Sequence, residues 1–255
     1  MRTELIDKRV RGRLGETLVV DTRDPLLFWE DHFPIPSYAF LVGDVRTPLL
    51  RETDPPPDGP WSFHAPHGPV AEWFDLVVDD QVVKHAAWRR DDADLAGRLV
   101  LSWDPALPLH WTEEDEEVFE HPRDPHHRVE VLPSSRHVVV RRDGVLLAES
   151  TRPVLLLETG LPTRYYLPEA DVALELLEPS ATTSLCPYKG VADRYFSVVG
   201  QDGGRDLVWS YSDPKPAVGL VAGRLAFYDE HVDVTVDGVE VPRPVSPFSA
   251  PPSGA

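Results

Sequence analysis

With 255 residues, 42% hydrophobic and 27% charged, the chain has enough apolar side chains for one large core or two small ones. A formal net charge of −18 repels phosphate backbones and anionic lipid, which argues against nucleic-acid and membrane partners. A single cysteine, Cys186, excludes an intrachain disulfide and a thiolate-rich zinc site.

Met1–Leu18 alternates charged residues with single apolar ones and lacks the apolar run of a signal peptide. No later stretch approaches the length of a transmembrane helix, so a cytoplasmic location is expected. A short helical piece is predicted near Asp91–Ala96, closed by Gly97. Glu113–Glu117 reads as a solvated acidic face. Beyond it, short β-branched and aromatic runs predict strands at 137–142, 154–158, 164–167, 195–199, 207–211 and 232–236. Many of the 27 prolines fall between such runs, where a fixed φ and a missing N–H end pairing. Asp143-Gly144 and Asp237-Gly238 predict hairpin turns. A second short helix is predicted over 217–222, with Asp213 as its cap, Pro214 in its first turn and Gly223 at its end.

Several of these features recur at a nearly constant offset. Ala96-Gly97-Arg98-Leu99 returns as Ala222-Gly223-Arg224-Leu225, 126 residues on, and Thr22-Arg23 as Thr151-Arg152 at 129. Glu30 falls opposite Glu158 at 128, Trp88 opposite Trp209 at 121, and Trp103-Asp104 opposite Tyr228-Asp229 at 125. Five matches in one order imply a duplicated unit. The expected fold is therefore mainly β, two tandem small antiparallel domains with one short helix each. Residues 14–120 form the first, 121–133 a linker, 134–241 the second, and 242–255 a disordered tail.

The second unit carries the candidate chemistry. Cys186-Pro187-Tyr188-Lys189-Gly190 sets a thiol and an amine three positions apart around a proline, which holds an extended turn. An ammonium beside a thiol favours the nucleophilic thiolate. Of 25 basic residues only Lys8, Lys84, Lys189 and Lys215 are lysines, so a lysine inside this motif suggests a compact, titratable amine is wanted. Glu158 ends an apolar run and needs a partner, for which Lys189 and Arg164 are candidates. Cys186, Lys189 and Glu158 are the candidate catalytic residues. Tyr166, Trp209, Tyr211, Tyr228 and Arg164 are the candidate ligand-binding residues, with Trp209 and Tyr211 on one strand face. Bland readings stand beside each of these: a lone cysteine packs as a small hydrophobe, a turn lysine is solvated, and the rings form a core. In the first unit His64-Ala65-Pro66-His67-Gly68 lies opposite Cys186–Gly190, and only the glycine persists. His64, His67, His121, His126 and His127 read as polar loop residues, so no metal and no cofactor is expected. A small-molecule ligand is the expected partner. An alternative is a protein-recognition or scaffolding module with an exposed aromatic surface and no catalysis.

The second unit also resembles a known family. Glu158-Thr159-Gly160, Tyr165-Tyr166-Leu167-Pro168 with Asp171-Val172, the stretch Leu177–Gly190, Tyr195-Phe196-Ser197-Val198, Trp209-Ser210-Tyr211 and Ala226-Phe227-Tyr228 resemble domain of unknown function 427. The linker around His121-Pro122-Arg123-Asp124-Pro125-His126-His127 is similar to the joint of its two-domain members. The resemblance implies a β-tent for each unit and leaves the biochemical role open. A nucleotidyltransferase-like label attached to the family would require a Gly-Ser followed by paired aspartates as metal ligands, and the chain has none.

Overall fold

The computed structural model describes residues 1–57, 63–200 and 203–250. The chain divides into two compact units, Met1–Asp124 and Pro125–Ala255. Both are mainly β, built from antiparallel pairs, and their helical turns are all short 3₁₀ segments. Among the described residues no helix is long and apolar enough to cross a membrane.

In the first unit seven strands form one sheet, in the order Arg2–Leu5, Leu26–Trp29, Pro36–Leu41, Arg98–Leu101, Gln81–Arg90, Val70–Val78, Leu50–Thr53. Four more, Glu116–Val118, Leu109–Glu113, Val10–Leu14 and Thr17–Thr22, form a second sheet. Val10, Val20, Leu27, Tyr38, Phe40 and Trp111 meet in the main core, which draws on both sheets. A smaller cluster, Leu26, Phe28, Trp73, Trp88 and Val100, fills the other face of the large sheet, as two-residue periodicity requires.

The second unit repeats this order. Val129–Pro133, Val154–Glu158 and Arg164–Tyr166 form one run, which a Leu167–Leu225 bridge continues into Ala226–Phe227, Val208–Ser210, Arg194–Val198 and Leu177–Ser180. Val145–Ser150, Val138–Arg142, Asp233–Val236 and Val239–Val241 form the second sheet. Registers agree as well. Arg2 pairs with Trp29 and Glu130 with Leu157, both members offset by 128. The bulge at Gly12/Arg13 returns at Val140/Arg141. The second unit adds one small hairpin, Ser184–Cys186 with Gly190–Ala192.

The expected turns form as predicted: Asp143 and Gly144 have φ of 49° and 78°, Asp237 and Gly238 of 51° and 81°. Two positive φ values in a row are the signature of a two-residue hairpin. Other expectations need correction. The Thr22-Arg23/Thr151-Arg152 match is one residue out, because Thr22 corresponds to Ser150. Thr22 Oγ1 donates to Asp44 at 2.6 Å and accepts from the Asp24 N–H, while Ser150 Oγ donates to Asp171 at 2.7 Å and accepts from the Arg152 N–H. The role of the hydroxyl, not the letter, sets the alignment. The two predicted helical pieces are present as 3₁₀ segments, Ala93–Leu95 and Pro216–Val221, and among the described residues each unit has two further 3₁₀ turns. Asp213 caps none of them, since Lys215 occupies the N-cap of Pro216–Val221 and its N–H donates to the Lys189 carbonyl at 3.0 Å.

The boundaries differ for a similar reason: pairing partners lie far away in sequence. Arg2–Leu5 and Val10–Leu14, which the expected start at residue 14 leaves out but for Leu14, are full sheet members of the first unit. Within the expected linker, Val129–Pro133 is a strand paired to Val154–Glu158. The tail expected to be disordered is held at Ser246 and Phe248: Ser246 Oγ donates to Glu230, His231 Nε2 donates to the Phe248 carbonyl, and the Phe248 ring lies 5.6 Å from Tyr228. The remainder of that tail, 251–255, lies outside the described residues.

Candidate functional site

Glu158 is the last residue of the strand Val154–Glu158. Val154 and Leu156 face the core cluster of Tyr166, Tyr195, Trp209 and Tyr211, and the period of two sends Glu158 to that same side. Its side chain is only 6% exposed. A carboxylate so placed must find hydrogen-bond donors. Two arrive from different directions.

The first is His127. Val129 pairs with Glu158, and the adjacent residues lock the strand ends: the Arg128 N–H donates to Thr159 Oγ1 at 2.9 Å and the Thr159 N–H to the Arg128 carbonyl at 3.0 Å. This clamp brings His127 Nε2 to 3.0 Å from Glu158 Oε1. The second donor is Lys189, whose ammonium donates to Glu158 Oε2. Lys189 sits in the turn of the Ser184–Cys186/Gly190–Ala192 hairpin, where Cys186 pairs with Gly190. Gly190 has φ +97°, which a side chain disfavours. Ser184 Oγ and the Tyr195 hydroxyl, 2.7 Å apart, tie the hairpin to the sheet. The Tyr188 ring stacks on His127 at 4.2 Å and 18°.

Electrostatics bind the group together. Burial pushes the Glu158 carboxyl up, but the hydrogen bonds and charges of His127 and Lys189 outweigh it and hold the group below its ordinary range. Burial likewise pushes Lys189 down, and Cys186 and Glu158 more than offset this, leaving the ammonium raised. The neighbour that raises Lys189 together with Glu158, Cys186, is a half-buried free cysteine. Beneath lie Tyr166 and Tyr211, 1% and 3% exposed. Burial raises the hydroxyls of both, and the fields of Glu158 and Cys186 raise them further. Trp209 Nε1 donates to the Tyr166 hydroxyl at 3.0 Å, completing the floor.

The structure therefore brings Glu158, Cys186, Lys189, Tyr166 and Tyr211 together and separates them from Arg164. That residue is not a partner of Glu158. It grips Glu230 with two hydrogen bonds of 2.7 and 2.6 Å, lies 3.9 Å from Asp229, and has Tyr228 and Phe248 around its guanidinium. Asp229 is pushed up to about 7, first by burial and then by Glu230, against the pull of Arg164. Trp209 and Tyr228, with ring centroids 4.4 Å apart, join the two groups.

Sequence reasoning missed His127, which it read as polar loop, and the acidic pair Asp229 and Glu230. Only strand pairing across 31 residues reveals that His127 reaches Glu158. In the first unit Glu30 keeps its place, but its cation is Arg90 on the strand Gln81–Arg90, not a residue of the His64–Gly68 loop. Glycine persists in that loop for a new reason: a Cβ on Gly68 would stand 2.3 Å from Arg90 Nη2. His67 stacks on Phe33 at 3.7 Å, and His64 Nε2 lies 3.4 Å from Glu120. Among the described residues no group of three or more His, Cys, Asp or Glu side chains is placed to hold a metal ion.

A family model described as a domain of unknown function (DUF427) matches residues 2–96 and 130–238. Both matched segments begin on the corresponding edge strand of their unit, at Arg2 and Glu130. No curated protein matches the chain.

Proposed function

We propose, for a chain that belongs to the domain of unknown function 427 family, that the second unit binds a small molecule at the cluster of Glu158, Lys189, Cys186 and His127. One observation carries this reading. Four chemically distinct groups (carboxylate, ammonium, thiol and imidazole) are held together by three separate pieces of chain. A structural ion pair needs only two of them. Lys189 is the group that grips an anionic or carbonyl part of the ligand, oriented by Glu158. Cys186, beside that ammonium, is the nucleophile wherever the site turns substrate over. His127 is the group able to move a proton at the carboxylate. Its 20% exposed side chain and the half-buried Cys186 form the accessible edge. Cytoplasmic residence belongs to the same proposal, resting on the lone free thiol and the acidic surface.

The alternative, recognition of a protein through exposed aromatic rings, is weakened by burial: Trp209 is 7% and Tyr211 3% exposed. Native mass spectrometry of the purified protein tests the proposal. A retained small molecule that is lost in Lys189→Met would support it. A bare polypeptide mass, together with no thermal shift across a library of small carboxylates and carbonyl compounds, would overturn it.

A further inference from the structure

The first unit holds a cavity of its own, about 20 Å³, behind the loop that carries His64 and His67. Three of its lining residues carry a buried polar atom with no hydrogen-bond partner among the described residues: Glu30 Oε2, Trp88 Nε1 and Trp103 Nε1. Trp88 is 4% and Trp103 6% exposed, so bulk water does not serve their N–H groups. A buried polar atom left unsatisfied is costly, and three on residues that line one cavity call for a partner.

We propose that this cavity takes one hydroxyl of a neutral polyhydroxylated small molecule, a sugar or polyol. The donor and acceptor count carries the argument. The carboxylate oxygen needs one donor and the two indoles need two acceptor lone pairs, which is the complement of a single hydroxyl. The volume suits one oxygen and no more. Charge decides between ligand classes. Arg90 already neutralises Glu30, so an ammonium would meet two N–H groups and an anion would meet the second carboxylate oxygen. The remainder of the ligand lies at the rim, which is aromatic: Phe63 is 52% exposed, its ring 5.0 Å from Phe33, and Phe33 stacks on His67. Ring faces of this kind pack against the C–H faces of sugars and polyols, while the few polar groups below set orientation.

The test follows the indole N–H resonances of Trp88 and Trp103 in the intact ¹⁵N-labelled protein, titrated with methyl α-glucoside, with myo-inositol, with sodium acetate and with methylammonium chloride. Saturable shifts of both resonances with either polyol, and with neither ion, support the proposal. Phe63→Ala, a change at an exposed position, should then weaken the apparent affinity about three- to tenfold without moving the melting temperature. Three outcomes would overturn it. They are no response to either polyol, an equal response to the ions, and persistent water-to-indole cross-relaxation at the highest polyol concentration, which would assign the cavity to a structural water only.

Discussion

Replacing Lys189 with alanine removes the nearer of two donors to a carboxylate that is 6% exposed, from a lysine side chain that is itself 13% exposed. Breaking one partner of a buried pair costs about 3–5 kcal/mol, because the other charge stays buried. His127 Nε2 remains 3.0 Å from Oε1, which places the loss near the lower end, about 3 kcal/mol. For a chain of this size that lowers the melting temperature by roughly 10 °C. Glu158→Gln with Lys189→Met removes both charges at similar volume and should recover most of the loss, so calorimetry on the two singles and the double yields the coupling. The pH dependence has a defined sign. Glu158 is lowered in the folded state, so its contribution is full above the unfolded value of about 4.3 and is lost as pH falls through the folded one. Lys189 is raised, so its contribution is full below about 10.4 and is lost as pH rises through its folded value. The deficit of Lys189→Ala should thus be flat across neutral pH and shrink at both extremes. A melting temperature within about one degree of wild type at neutral pH, or a coupling near zero, would refute the reasoning.

Asp229 provides an opposite case. With its folded value at about 7, it binds its proton more tightly in the native state, so stability falls as pH rises from about 4 to 7 and then levels. Asp229→Asn should remove that slope and be more stable than wild type at pH 8, by at most about 4 kcal/mol in urea titrations; a less stable variant at pH 8 would count against it. Cys186→Ser should leave the melting temperature nearly unchanged while abolishing capture of one iodoacetamide per chain, read by intact mass; labelling that persists would show that the reactive group lies elsewhere. Neither chelator nor reductant should move the melting temperature, and elemental analysis after purification without added metal should find no stoichiometric zinc. Stoichiometric metal would contradict the reading of the histidines as loop residues.

What the amino-acid sequence determined by itself was local. Short β-branched runs predicted six strands of the second unit to within a residue or two, since alternation and propensity act over neighbouring positions. Asp-Gly pairs predicted hairpin turns because so few residues accept positive φ. The strand-end position of Glu158 and the scarcity of lysine pointed to the Glu158–Lys189 pair that the structure contains. Tertiary structure decided which partner each side chain meets. Lys189 and Arg164 stand as equal candidates for Glu158 on paper, and only the packing of chain 66 residues away gives Arg164 to Glu230 instead. His127 became a neighbour of Glu158 through a strand hidden in the expected linker. The same carboxylate position recruits an arginine from a strand in one unit and a lysine from an added hairpin in the other. Secondary structure follows from forces between adjacent residues, whereas a buried charge is satisfied by whichever distant group the strand register carries into reach.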